Sequence, residues 1–128
     1  MSPFLDVTGS GESATTRADI DPWFNPEDLP VIARYYCPDE KEWRNPLVSP
    51  VFANVAGLPP MLIQVGDDEI LLSDSTRLAD SLKQEGVDVE LEVWPNMWHV
   101  FQFFVGKMPE SRQAIVKIGA YIKRRLGS

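Results

Sequence analysis

The sequence has one cysteine, one histidine, no long apolar run and no G-x-S-x-G pentapeptide. Each lack excludes something. A lone Cys37 cannot close an internal disulfide, which suits a reducing compartment and makes cytoplasmic the expected location. No apolar run approaches the roughly 20 residues that a membrane-spanning helix needs. The opening stretch MSPFLDVTGS carries neither the basic region nor the apolar core of a secretory signal. Basic side chains are few: 12 Lys and Arg stand against 19 Asp and Glu, giving a net charge of −7 and a pI near 4.6. That balance argues against nucleic acid or an anionic membrane as the main partner. With one histidine, no common metal-ligand spacing can be assembled, so neither a metal nor another cofactor is expected. No internal repeat or low-complexity segment is present.

What is present is enough for one domain. A chain of 128 residues can bury a real core. MLIQV, residues 61–65, is nearly continuous in apolar residues, as in a strand covered on both faces. VDVELEVW, residues 87–94, alternates strictly, with Asp88, Glu90 and Glu92 on a face expected to be wet. Between them Leu71, Ser75, Leu78, Ala79 and Leu82 form one helical stripe, and Gly86 is placed to end that helix in the left-handed conformation. A last helix is expected over 113–126, burying Ile115, Ile118, Gly119, Ile122 and Leu126. An earlier one is expected over 26–36, capped by Asn25 and opened by Pro26, with Pro30 in its first turn. Residues 8–21 and 38–50 read as loop. Met1 to Thr8 resembles the tail of a strand. The class is α/β, with parallel strands and crossover helices.

Strand, crossover helix, strand brings two loops to one sheet edge. Neighbouring strand axes lie about 4.8 Å apart. The acidic run Asp67-Asp68-Glu69 follows the first strand, and His99 follows the second, where open α/β sheets place ligands. One of those carboxylates is therefore within reach of the histidine. A carboxylate that fixes a histidine tautomer supplies two thirds of a nucleophilic hydrolase. The plain reading of the acidic run is a solvated turn, with Asp74 and Ser75 capping the next helix. The plain reading of the aromatics around His99 is core packing.

A nucleophile is the missing third. The nearest serine motif, Gly11-Glu12-Ser13-Ala14-Thr15, lacks the second glycine that a sharp strand-to-helix elbow requires. Ser13 reads as a loop serine. Cys37 is followed by proline and charge, with nothing near to activate it.

Taken together, GLPPMLIQVGDDEILLSDS and VELEVWPNMWHVF resemble the acid loop and histidine loop of the bacterial hormone-sensitive-lipase-like esterases, the α/β-hydrolase fold-3 group. The resemblance runs along essentially the whole chain and implies the C-terminal portion of an α/β-hydrolase fold, residues 1–128 being one piece of that domain. It implies a serine carboxylesterase or lipase acting on short-chain acyl esters. In the family's acid motif, Glu69-Ile70-Leu71 fits best, so Glu69 is the implied triad acid, with Asp68 second. His99 matches the catalytic histidine. Met97, Trp98 and Phe101 are implied pocket residues. Ser73 stands where the family often has Asp, and Val100 where many members have glycine. The HGGG-like oxyanion segment and the nucleophile elbow have no counterpart here. A chain with acid and histidine alone is expected to be inactive or very weak. Its incomplete sheet makes a homo-oligomer the expected state. The rival expectation is a non-catalytic module that associates through that sheet.

Overall fold

The computed structural model describes residues 1–127. In chain order the elements are α1 (Ser13–Thr16), α2 (Asp28–Tyr36), β1 (Met61–Gly66), α3 (Leu72–Gln84), β2 (Val89–Trp94) and α4 (Pro109–Leu126), with short 3-10 turns at Glu40–Glu42, Pro50–Phe52 and Phe101–Phe104. No helix is long and apolar enough to cross a membrane, among the described residues.

β1 and β2 pair in parallel, with Ile63 opposite Leu91 and Gly66 opposite Trp94. The crossover is α3. Its stripe is buried as the periodicity predicts: Ala79 and Leu82 pack in one cluster with Leu78 against it, Ser75 is buried, and Leu71 packs in a second cluster with Ala14, Leu29 and Ile70. Gly86 takes φ +71° after the helix end, the left-handed conformation a residue without a Cβ adopts at least cost. Val55, Ile63, Ala79, Leu82 and Val87 form the core between α3 and the sheet.

The other edge of β1 is touched by the chain's beginning. Ser2 N–H donates to the Gln64 carbonyl at 2.8 Å, a single sheet-like bond that agrees with reading residues 1–8 as a strand's tail.

Several expectations are corrected. α2 begins at Asp28; Glu27 occupies the cap position, and the Asn25 N–H donates to the Asp28 carboxylate rather than Asn25 capping the helix. Pro30 does fall in the first turn. Asp74 and Ser75 lie inside α3 and cap nothing; Asp74 Oδ2 instead accepts from the Leu5 and Asp6 backbone at 2.7 and 3.0 Å. The acidic face of β2 is wet as its alternation predicts, with the Asp88 and Glu90 side chains 57% and 42% exposed, but it is also paired. α4 lies along it, with Lys117 on Glu92, Arg124 on Glu90 and Arg125 on Asp88. α4 itself does not bury the stripe its periodicity predicts. Its buried residues are Ser111 and Ala114, while Ile115, Ile122 and Leu126 of the expected stripe are exposed.

Candidate active site

The site is built where the two strands end. β1 finishes in Gly66, opposite Trp94, and the backbones of the two following loops then touch. Asp67 N–H donates to the Trp94 carbonyl at 3.0 Å, and Asp68 N–H to the Met97 carbonyl at 3.1 Å. Only glycine permits this approach. A Cβ on Gly66 would stand 2.0 Å from the Met97 carbonyl oxygen.

This contact sets Glu69 beneath His99. Glu69 is 0% exposed. Its Oε2 lies 3.2 Å from His99 Nδ1. Its Oε1 accepts from Gly66 N–H at 2.6 Å and from the Ser2 hydroxyl at 2.7 Å. The buried carboxylate is thus satisfied on both oxygens, as burial requires. Because a carboxylate only accepts, a neutral His99 ring bonded to it holds its hydrogen on Nδ1 and leaves the Nε2 lone pair free. The His99 side chain is 18% exposed, and Phe24 meets it edge-on with ring centroids 5.0 Å apart.

Asp68 does not join this arrangement. It makes no hydrogen bond to His99, and its pKa is raised by burial, by the hydrogen bond and charge of Asp67, and against the opposing charge of Arg17. Arg17 holds the acidic loop from outside, donating from Nε to the Asp67 carbonyl at 2.7 Å. Asp21 Oδ2 accepts from the Ile70 N–H at 2.8 Å. The loop's three carboxylates therefore separate: Glu69 turns in, while Asp67 and Asp68 stay toward solvent.

The aromatic neighbourhood is mostly core. Phe101 (0% exposed) and Met97 pack with Ala114 under α4, so in this structure neither lines an open pocket. Within the 3-10 turn after His99 only Phe101 and Gln102 are buried, Phe101 packing on Trp94, while Phe103 is 73% exposed. Trp98 is half-buried and packs edge-on to Phe104.

Ser13 is not a loop serine. It opens the single turn α1, is buried, donates to the Ile70 carbonyl at 2.6 Å and accepts from Ser73 N–H at 2.8 Å. Ser73 Oγ accepts from Ser13 N–H at 2.9 Å in return. That reciprocal pair occupies the place where the resemblance expects Asp at residue 73. Among the described residues, no serine or cysteine is hydrogen-bonded to His99.

Sequence reasoning missed Ser2, Arg17 and Phe24. All three reach the site through tertiary folding of a segment with little periodicity. The only local signal was proline after Ser2, which marks a constrained backbone.

A family description, α/β hydrolase fold, matches residues 1–103. An esterase of Acinetobacter venetianus is 38% identical over 121 residues, covering 94% of this chain and 40% of that protein. An acetyl-hydrolase of Streptomyces hygroscopicus is 36% identical, covering 99% and 42%. Among solved structures, an esterase from the bacterial hormone-sensitive lipase family superposes with a TM-score of 0.93 at 44% identity, covering 97% of this chain and 41% of that one. EstE5 superposes with a TM-score of 0.94 at 40% identity, covering 99% and 43%. The chain thus spans about 40% of the length of the curated relatives it matches.

Proposed function

The chain belongs to the α/β-hydrolase fold family, and from that premise we propose that it carries the acid and histidine of a serine carboxylesterase acting on small, short-chain acyl esters. The single observation that carries this reading is the buried Glu69 carboxylate on His99 Nδ1. In the proposed reaction His99 Nε2 takes the proton of a serine hydroxyl as that oxygen attacks the ester carbonyl. The acyl group passes to serine as the alkoxide leaves with the proton returned by His99. Water then repeats the sequence and frees the acid. Glu69 holds the ring in the required tautomer and stabilises its transient positive charge. The names of the relatives, esterase and acetyl-hydrolase, support the substrate class.

The nucleophile and oxyanion donors are not among the residues that meet His99. These 128 residues alone are therefore expected to leave ester hydrolysis at background. The test is a chimera in which residues 1–128 replace the matching segment of the Acinetobacter esterase. Hydrolysis of p-nitrophenyl acetate should fall by about six orders of magnitude on His99→Ala, and by about four on Glu69→Ala. A folded chimera whose hydrolysis ignores both changes would remove the reading.

A second reading, a self-associating module, is favoured by one observation: Ile115, Val116, Ile122 and Leu126 lie exposed along α4. It predicts a concentration-dependent dimer or larger species in sedimentation. A monomer at high concentration excludes it.

A further inference from the structure

The Ser2 hydroxyl has no part in the expected constellation, yet it is 3% exposed and lies at the centre of the site. We propose that Ser2 is a positioning residue, clamping the acid loop to the histidine loop so that Glu69 presents Oε2 to His99 Nδ1. This deepens the esterase reading and rests on it.

The connections are directional. A serine hydroxyl has one hydrogen to give. Here it goes to Glu69 Oε1 at 2.7 Å. Ser2 Oγ must then accept from Val100 N–H, which lies 3.3 Å away. Val100 immediately follows His99, so one oxygen joins the backbone of the histidine loop to the carboxylate that holds the histidine ring. The backbone of Ser2 is itself tied to β1 through its N–H on Gln64 O at 2.8 Å. Three segments distant in sequence meet at one residue.

The geometry of Glu69 shows why the clamp matters. Oε1 also accepts from Gly66 N–H, at 2.6 Å. With that donor alone the carboxylate could swing about the one bond. The second donor, arriving from a different segment, fixes its plane and so the direction in which Oε2 faces. Hydrogen bonds arranged donor to acceptor along a chain also strengthen one another in a buried site.

The backbone supports the same conclusion. Among the described residues, the non-glycine positions with positive φ are Ser2 (38°), Asn96 (56°) and Val100 (49°). Ser2 holds that conformation directly before Pro3, where extended backbone is favoured. Unfavourable backbone persists where the surroundings over-determine it, and such positions gather at functional sites. All three lie on the segments that meet around His99.

The test uses the fact that His99 is the only histidine, so its imidazole nitrogens give one unambiguous 15N spectrum. The full 128-residue chain is compared with Ser2→Gly, Ser2→Ala and Glu69→Ala. Ser2→Gly removes the hydroxyl while accepting the left-handed backbone, so it is the variant that keeps its fold. The native ring should show the Nδ1–H tautomer. Ser2→Gly and Ser2→Ala should each raise the Nε2–H fraction about threefold, as the loss of one supporting hydrogen bond would. Equality of the two variants identifies the hydroxyl as the agent. A native tautomer in Ser2→Gly overturns the proposal, as does a change in Ser2→Ala alone, which would assign the effect to backbone strain. Glu69→Ala separates the two levels. If its ring spectrum matches the native one, the esterase reading of the pair fails; if it moves while Ser2→Gly does not, only the Ser2 proposal fails.

Discussion

Glu69 and His99, 30 residues apart, are brought to 3.2 Å by a contact between two loop backbones at Gly66 and Met97. The acid does not find the histidine by its own flexibility. It is delivered there because β1 ends in a residue with no side chain, which lets Asp68 N–H reach the Met97 carbonyl.

Gly66→Ala should therefore break the site and weaken the fold together. The added Cβ would sit 2.0 Å from a backbone oxygen, which cannot yield as a flexible side chain could. The loss is expected at about 3 kcal/mol or more, at the upper end of overpacking costs. Urea denaturation measures it, and a variant within 1 kcal/mol of the native protein, by the ordinary scatter of surface changes, would refute the argument.

Ser13→Ala should cost stability and leave the histidine alone. Ser13 Oγ donates to Ile70 O and accepts from Ser73 N–H in a buried setting. Removing it leaves both groups unsatisfied, at about 1–3 kcal/mol. The His99 15N spectrum should be unchanged. A shifted spectrum with unchanged stability would give Ser13 a role at the site instead of the structural one.

Asp74 makes stability depend on pH. Burial pushes its pKa up from 3.8 to about 6, with the nearby Asp6 charge adding to the rise and the Leu5 and Asp6 N–H groups and Arg77 opposing it. A raised carboxyl favours the folded state while protonated. Its contribution is complete below the unfolded value and is lost as pH rises through about 6. The loss amounts to about 3 kcal/mol over that window. Asp6 acts oppositely: burial raises its pKa, but Ser10, Thr8 and Arg77 hydrogen bonds outweigh that and hold it below 3.8, so its stabilisation is lost in acid. Stability should peak where the two meet, near the ordinary carboxylate value at about pH 4. Asp74→Asn, which keeps an acceptor for Leu5 and Asp6, should flatten the fall toward neutral pH. Thermal unfolding from about pH 2 to 8 checks both, and an unchanged slope above about pH 4 in the variant would contradict the assignment.

Val100 is a β-branched residue at φ 49°, a conformation that costs an L residue about 1–2 kcal/mol. The resemblance had placed glycine there in many relatives. Val100→Gly should leave stability unchanged or raise it by up to about 1 kcal/mol, the strain relief offsetting the added chain entropy. Val65→Gly, in the buried strand, should lose several.

Much of this was legible in the sequence because it rests on local pattern. The continuous apolar run of β1, the alternation of β2 and the stripe of α3 give the parallel pair and its crossover. That topology alone places residues 67–69 beside His99. Choosing among the three carboxylates was not possible from the pattern, since it depends on the turn after Gly66; the resemblance chose Glu69, and the geometry turns the same residue inward. The rest depends on tertiary partners. The alternation of β2 gave its wet acidic face but not the cations that pair with it, which lie about 30 residues on, in α4. The apolar stripe of α4 looked buried because periodicity reports a face and not what covers it. Ser2 was invisible because nothing in a two-residue stretch indicates a clamp between segments 67 and 98 residues away.

The central claim is that these residues hold the proton-handling half of an esterase site without its nucleophile. The most direct measurement is p-nitrophenyl acetate hydrolysis by the purified 128-residue chain beside its His99→Ala variant. The account predicts background rates that the substitution does not change. Enzyme-like turnover that disappears with His99 would contradict it, because a nucleophile would then have to exist within these residues, and Ser13 would be the first to test.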